Sequence, residues 1–292
     1  MKLDVGHRTY VRILLAAIPA LLVPAAAAGP GDRAPGAYDA AVHLARDIGS
    51  RPAASRAELR AHRYVKRRFE RAGLETTYTR FRVPNRGRGW SRNVVGAYDG
   101  PHRCLKIVMG HTDSVPAGPG AVDNASGVGV VVALAGRLRA IDPYCDVWLV
   151  ATGAEERPYT GQADHLGARR LVKYVRQQDS AGRLRYALSL DMVGRGGRFQ
   201  VSSPKGAPRP RVEGQLFAAG RRTDVTLRWS PDSGTGNSDH REFELAGMPG
   251  LVMHLWHGLE PCYHSSCDTW QRLQRRSLRR IQRVAEEALR RR

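Results

Sequence analysis

His111 and Asp113 close the apolar run "KIVMG", Asp123 lies in the small-residue loop "GPGAVDNASG", and the vicinal pair Glu155 and Glu156 follows "VWLVATGA". Asp191 sits inside "ALSLDMVG", and His264 lies between Cys262 and Cys267. Imidazole nitrogens and carboxylate oxygens are zinc ligands, and so many at the mouth of one sheet would be costly without cations among them. Two divalent ions about 3.5–4 Å apart, sharing one carboxylate and holding an activated water, resolve that cost. In the glutamate pair one carboxylate can coordinate while the other serves as general base.

For these residues to meet, each must stand at the same edge of a sheet, and the pattern around them permits it. β-rich runs occur at "TTYTRFRV", "SRNVVGAY", "CLKIVMG", "CDVWLVAT", "YALSLDMVG", "VTLRWS" and "GLVMHL". Helical patterns precede or separate them: "AYDAAVHLARDI", "SRAELRAHRYVKRRFERAG", "NASGVGVVVALAGRLRAI", "LGARRLVKYVRQQ", "RVEGQLFAAGRR" and "SLRRIQRVAEEALRRR". Ser55 and Glu58 have the spacing of a capping box and Gly73 that of a helix stop. Alternating strands and helices predict an α/β fold, a three-layer sandwich with a central mixed, mostly parallel sheet flanked by helices. Ligands of such sheets collect beyond the carboxyl ends of the strands, which is where the candidate residues fall.

The segments "GHTDS", "AVDNASGVG", "TGAEE", "LGARRLV", "SLDMVG", "SDHREFELAGMPG" and "CYHSSCDT" resemble, in order, those of the co-catalytic di-zinc aminopeptidases. These are the secreted leucyl-aminopeptidase type, related to glutamate carboxypeptidases and glutaminyl cyclases. "YVKRRFERAGLET" and "SRNVVGAY" extend the likeness over nearly all of residues 37–292. The resemblance implies a zinc-peptidase fold and two zinc ions per chain, with Asp123 bridging them. His111 and Asp191 would complete one site, Glu156 and His264 the other, and Glu155 would be the general base. Asp113 would orient the His111 imidazole, Asp268 would play a similar supporting part, and Tyr263 would hydrogen-bond the oxyanion. Substrates would be peptides with a free N-terminus. Two departures bear on the pocket. "RPYTGQADH" intervenes before "LGARRLV", making Tyr159 and His165 candidate pocket residues, and Asn237 stands where some relatives carry an arginine.

The chain has 292 residues and a formal charge of +20, almost all of it from arginine, since lysine occurs only at Lys2, Lys66, Lys106, Lys173 and Lys205. Such charge attracts nucleic acid, anionic surfaces or acidic substrates. The arginines are spread along the chain and not interleaved with aromatics, so a nucleic-acid partner is not expected. Residues 1–28 read as a cleaved export signal: Lys2, Arg8 and Arg12, then "ILLAAIPALLV", then small residues ending at Ala28. Residues 29–36 would be a flexible mature terminus and 37–292 one catalytic domain, a monomer without a stable membrane anchor, secreted or periplasmic. In an oxidising compartment the four cysteines are expected as disulfides, Cys104 with Cys145 and Cys262 with Cys267. By chain entropy the longer loop would stabilise by about 4 kcal/mol and the shorter by roughly 2. The last helix carries Leu278, Ile281, Val284, Ala285 and Leu289 on one stripe, which is expected to pack on the domain. Two other readings remain open: a glutaminyl-cyclase-like transferase using one zinc, and a basic, non-catalytic binder of anionic polymers.

Overall fold

The computed structural model describes residues 35–84, 89–157, 165–232, 238–255 and 260–291. The expected export signal, Tyr159 and Asn237 lie outside the described residues. Eight strands form one sheet: β1 (Glu75–Val83), β2 (Gly89–Tyr98), β3 (His102–His111), β4 (Cys145–Thr152), β5 (Leu184–Asp191), β6 (Phe199–Ser203), β7 (Leu227–Pro231) and β8 (Gly250–Leu255). Their order is β1-β2-β4-β3-β5-β8-β6-β7. The central four, β4-β3-β5-β8, are all parallel, while β1-β2, β2-β4 and β8-β6 are antiparallel. The fold is thus a mixed α/β sandwich of the kind expected.

Two-residue alternation along β3 shows how the layers are made. Leu105, Ile107 and Met109 enter a cluster with Leu171, Val172 and Val175 of α5 (Leu166–Gln177) and Phe243 of α7 (His240–Leu245). Val108 faces the larger cluster, shared with α1 (Ala37–Val42), α2 (Arg56–Arg71), α3 (Ser126–Ala135), α6 (Glu213–Arg222) and α8 (Arg275–Arg290). Lys106 points the same way as Val108, fully buried, and its Nζ donates to Ala288 O (2.7 Å) and to Arg291 O at the end of α8. When protonated it meets the negative end of the helix dipole, while burial, with Arg185 nearby, pulls its pKa down to about 7. The expected stripe of α8 is buried against this core. No helix among the described residues is long and apolar enough to cross a membrane.

Several details depart from the sequence reading. The helical stretch 124–141 is two helices, α3 and α4 (Leu138–Ile141), because the chain turns at Gly136 and Arg137. Strand β6 and helix α7 have no counterpart among the expected elements; both are too short for periodicity to announce them. Ser55 caps α2 by accepting from Glu58 N (3.1 Å), but the Glu58 carboxylate does not return the bond. It accepts instead from Ala54 N, Ser91 Oγ and Ala154 N, tying the helix start to the turn that carries Glu155. Cys104 pairs with Cys145, and Cys262 with Cys267.

Candidate active site

Parallel pairing brings the carboxyl ends of β3, β4, β5 and β8 to one edge. The crossover from β3 to β4 passes through α3 in the larger layer, and that from β4 to β5 through α5 in the smaller one. Consecutive connections therefore leave on opposite faces, and a crevice opens at the end of β3, where His111 ends its strand. Glu155 and Glu156 follow β4, and Asp191 ends β5.

Asp123 arrives from the loop before α3, and the sequence around it explains why it can. Gly120 adopts a left-handed backbone (φ 55°), and a Cβ there would meet Asp123 O at 2.3 Å. At Gly127 a Cβ would stand 2.0 Å from Leu190 O, so only glycine lets α3 start directly against β5. Asn124 Nδ2 donates to Leu190 O (2.8 Å), and Val193 N donates to Ser126 Oγ (3.0 Å), bracing this loop to both sides of Asp191.

The side chains converge. His111 Nε2 lies 3.2 Å from Asp123 Oδ1 and 3.5 Å from Asp191 Oδ1. His264 Nε2 lies 3.3 Å from Asp123 Oδ2 and 2.8 Å from Glu156 Oε2. Each oxygen of Asp123 thus faces a different imidazole. His264 itself takes a left-handed backbone (φ 54°) inside the Cys262–Cys267 loop. Potential ligand atoms of His111, Asp123 and Glu156 fall within 4.8 Å of one another, as do those of His111, Glu155 and Asp191.

The supporting residues act mostly on backbone. Asp113 accepts from the amides of Glu155 and Glu156, both at 3.0 Å, while its own carbonyl oxygen is 3.2 Å from His111 Nδ1. Asp268 accepts from Val122 N (2.9 Å) and Asp123 N (3.0 Å), holding the loop that carries Asp123. Tyr263 is half exposed and stacks on the His264 ring at 3.7 Å.

Four residues enter without having been singled out as site residues, or in a new setting. His165 starts α5 with a left-handed backbone, and His165 N and Leu166 N donate to Glu155 O and Ala154 O. That clip brings His165 Nε2 to 3.2 Å from Glu155 Oε1, with Nδ1 3.6 Å from Glu242 Oε1. Burial pulls this imidazole down, but Glu155 and Glu242 outweigh it and raise it to about 10. Asp239, in the "SDH" segment, is buried and accepts from Thr152 Oγ1; burial, with Glu155 nearby, pushes its carboxyl up to about 7. Arg51, wholly buried, donates to the carbonyls of Thr112, Pro119 and Gly120, bracing the chain beside His111 and before Asp123. In a chain this rich in arginine, no local signal separates a buried one from the solvated majority. Glu58, described above, was legible only as a cap.

The donor set fits divalent cations. Burial disfavours charge throughout, yet the carboxylates of Glu155, Asp113, Asp123 and Asp191 hold the His111 imidazole well above its ordinary value. Against the same burial, Asp123 and Glu156 raise His264 to about 10. Burial and Asp123 push Glu156 up. A site whose imidazoles are driven to keep protons, and whose glutamate is driven to take one, is short of positive charge. Asp191 Oδ1 and His264 Nε2 are buried without a hydrogen bond of acceptable geometry. These are the atoms a metal would engage.

Comparison with known proteins gives a consistent picture. The model of peptidase family M28 matches residues 93–289. Aminopeptidase YwaD of Bacillus subtilis (strain 168) is 28% identical over 203 residues, 64% of this chain and 42% of its own length. The chain therefore spans less than half of that curated relative. Among solved structures, BSAP, a zinc aminopeptidase from Bacillus subtilis, superposes with a TM-score of 0.78 at 17% identity, covering 88% of this chain and 94% of that one. The glutaminyl cyclase of Bacteroides thetaiotaomicron superposes with a TM-score of 0.71 at 19% identity, covering 88% and 98%. At these identities the superpositions establish a shared fold.

Proposed function

Since the chain belongs to peptidase family M28, we propose that it is an exported zinc aminopeptidase that hydrolyses the N-terminal peptide bond of peptides. The observation that carries this reading is Asp123, whose two carboxylate oxygens face His111 and His264 separately, at 3.2 and 3.3 Å. One zinc would be held by His111, Asp191 and Asp123, the other by Glu156, His264 and Asp123. When bound, the zinc pair supplies a Lewis acid for the scissile carbonyl and lowers the pKa of water.

The chain's own residues do the rest. Glu155 takes a proton from the attacking water and passes it to the leaving amine nitrogen as the carbon–nitrogen bond breaks. Tyr263 donates its hydroxyl proton in a hydrogen bond to the oxyanion. The carboxylates around the crevice hold the substrate's α-ammonium, which confines cleavage to the first bond. Asp113 fixes Glu155 and Glu156 through their amides, and Asp268 fixes Asp123. Residues 37–292 would be the catalytic domain. The two disulfides suit a secreted or periplasmic protein.

His165 would position the base by donating to Glu155 Oε1. Replacing it with alanine is expected to lower kcat by about 10- to 100-fold, the usual cost of an outer-shell partner, with KM and zinc content little changed. His165→Gln keeps an N–H donor and should recover most of the rate. Equal losses in the two variants would reduce His165 to packing.

A panel of aminoacyl and N-terminal glutaminyl substrates, assayed with chelator and with restored zinc, tests the function. Chelation should abolish release of the N-terminal residue and zinc should restore it. Full activity in metal-free protein would refute the proposal. One zinc per chain with pyroglutamate as product would replace it by the cyclase reading.

A further inference from the structure

The charge arrangement of α8 opposes its own helix dipole. Its first nine residues carry Arg275, Arg276, Arg279, Arg280 and Arg283 and no acid, while Glu286 and Glu287 lie in the C-terminal half. Cations are unfavourable at the positive end of a helix, and like charges three or four residues apart repel. Burying the apolar stripe of α8 accounts for the helix but not for the run of cations over its first nine residues, which the helix dipole and like-charge spacing both disfavour.

Where α8 passes the end of α6, a cleft of about 470 Å³ is lined by Thr223, Asp224, Arg276, Arg279, Arg280 and Arg283. Four guanidiniums face one carboxylate. A second cleft along α8 shares Arg279 and Arg283 but sets two carboxylates against its four arginines, with Arg275 on Asp39 (3.2 Å) and Arg137 on Glu286 (3.4 Å). Among the described residues, Arg276, Arg279 and Arg280 have no such partner. The excess of positive charge is therefore greatest, and least paired, in the first cleft.

We propose that this cleft binds a linear phosphate polymer. Guanidinium forks bind phosphate oxygens in pairs, and those forks are spread from Arg276 to Arg283, about 10 Å of helix, more than a single phosphate occupies. No aromatic side chain lines the cleft, so the bases of a nucleic acid would find nothing to stack on. The bound anions would relieve the repulsion along α8.

The test uses the full zinc-loaded protein and calorimetric titration with orthophosphate, tripolyphosphate and long-chain inorganic polyphosphate. Affinity should rise with chain length. R276Q/R279Q/R280Q should weaken long-chain binding at least about tenfold and lower the slope of log K against log salt by about two. With repulsion removed, its Tm without polymer should be unchanged or higher, and peptide hydrolysis unaffected. R63Q/R67Q/R71Q, which removes equal charge from the exposed face of α2, should bind as the parent does. Equal loss in both triple variants, no loss in the first, or tighter binding of an oligonucleotide or heparin of matched charge would overturn the proposal. Should the first variant lose its thermal transition, R280Q alone, read in the same titration, decides the matter.

Discussion

Glu155→Gln is expected to lower kcat by about 10²- to 10⁴-fold, the range for loss of a positioned general base, while zinc content and KM stay near those of the parent. The amide keeps the size of the carboxylate and can still contact His165, so the fold of the turn should survive. Its backbone amide, bound to Asp113, is untouched. What disappears is the group that accepts the water's proton. Stopped assays on an aminoacyl substrate, paired with metal analysis of the same preparation, check this. A variant with parental kcat would remove Glu155 from the chemistry, and one with depleted zinc would make it a ligand, as its proximity to His111 and Asp191 allows.

Asp123→Asn should have the larger effect on metal. The neutral amide presents one oxygen where the carboxylate presented two, each opposite a different imidazole. Zinc affinity should fall by more than the roughly 10- to 100-fold typical of supporting residues, and occupancy should drop below two per chain. Activity should fall with it at limiting zinc. Because Asp268 holds residue 123 by its backbone, the loop should keep its path and the loss should be one of affinity, not of folding. Titration of zinc into chelator-treated protein reads this directly. Two ions bound with parental affinity would show that Asp123 bridges nothing.

The contrast between Asp123 and His165 shows where legibility in the sequence stops. Asp123 is announced by its neighbours: glycines at 120 and 127, and Asn124 and Ser126 placed to brace the loop. His165 ends an insertion with no pattern of its own, and reads only as a pocket residue. Two backbone bonds, from His165 N to Glu155 O and from Leu166 N to Ala154 O, formed across that insertion, bring its ring beside the Glu155 carboxylate. Strand β6 is illegible because the alternation in "FQVSS" lasts only four residues before Ser203 ends it, too short a run to announce a strand.

The sequence alone marked out a candidate ligand set, the α/β architecture and the expected cysteine pairs. The first two depend on residue type at strand ends and on hydrophobic period, which are local properties. Only the tertiary structure decided that Arg51 is buried behind the loop that carries Asp123, that Asp113 works through the amides of Glu155 and Glu156, and that four arginines of α8 share one cleft. Each of these depends on which distant segment packs against a given side chain. Burial and partner choice arise from the summed packing of the chain and leave no mark on the residue's own neighbourhood in sequence.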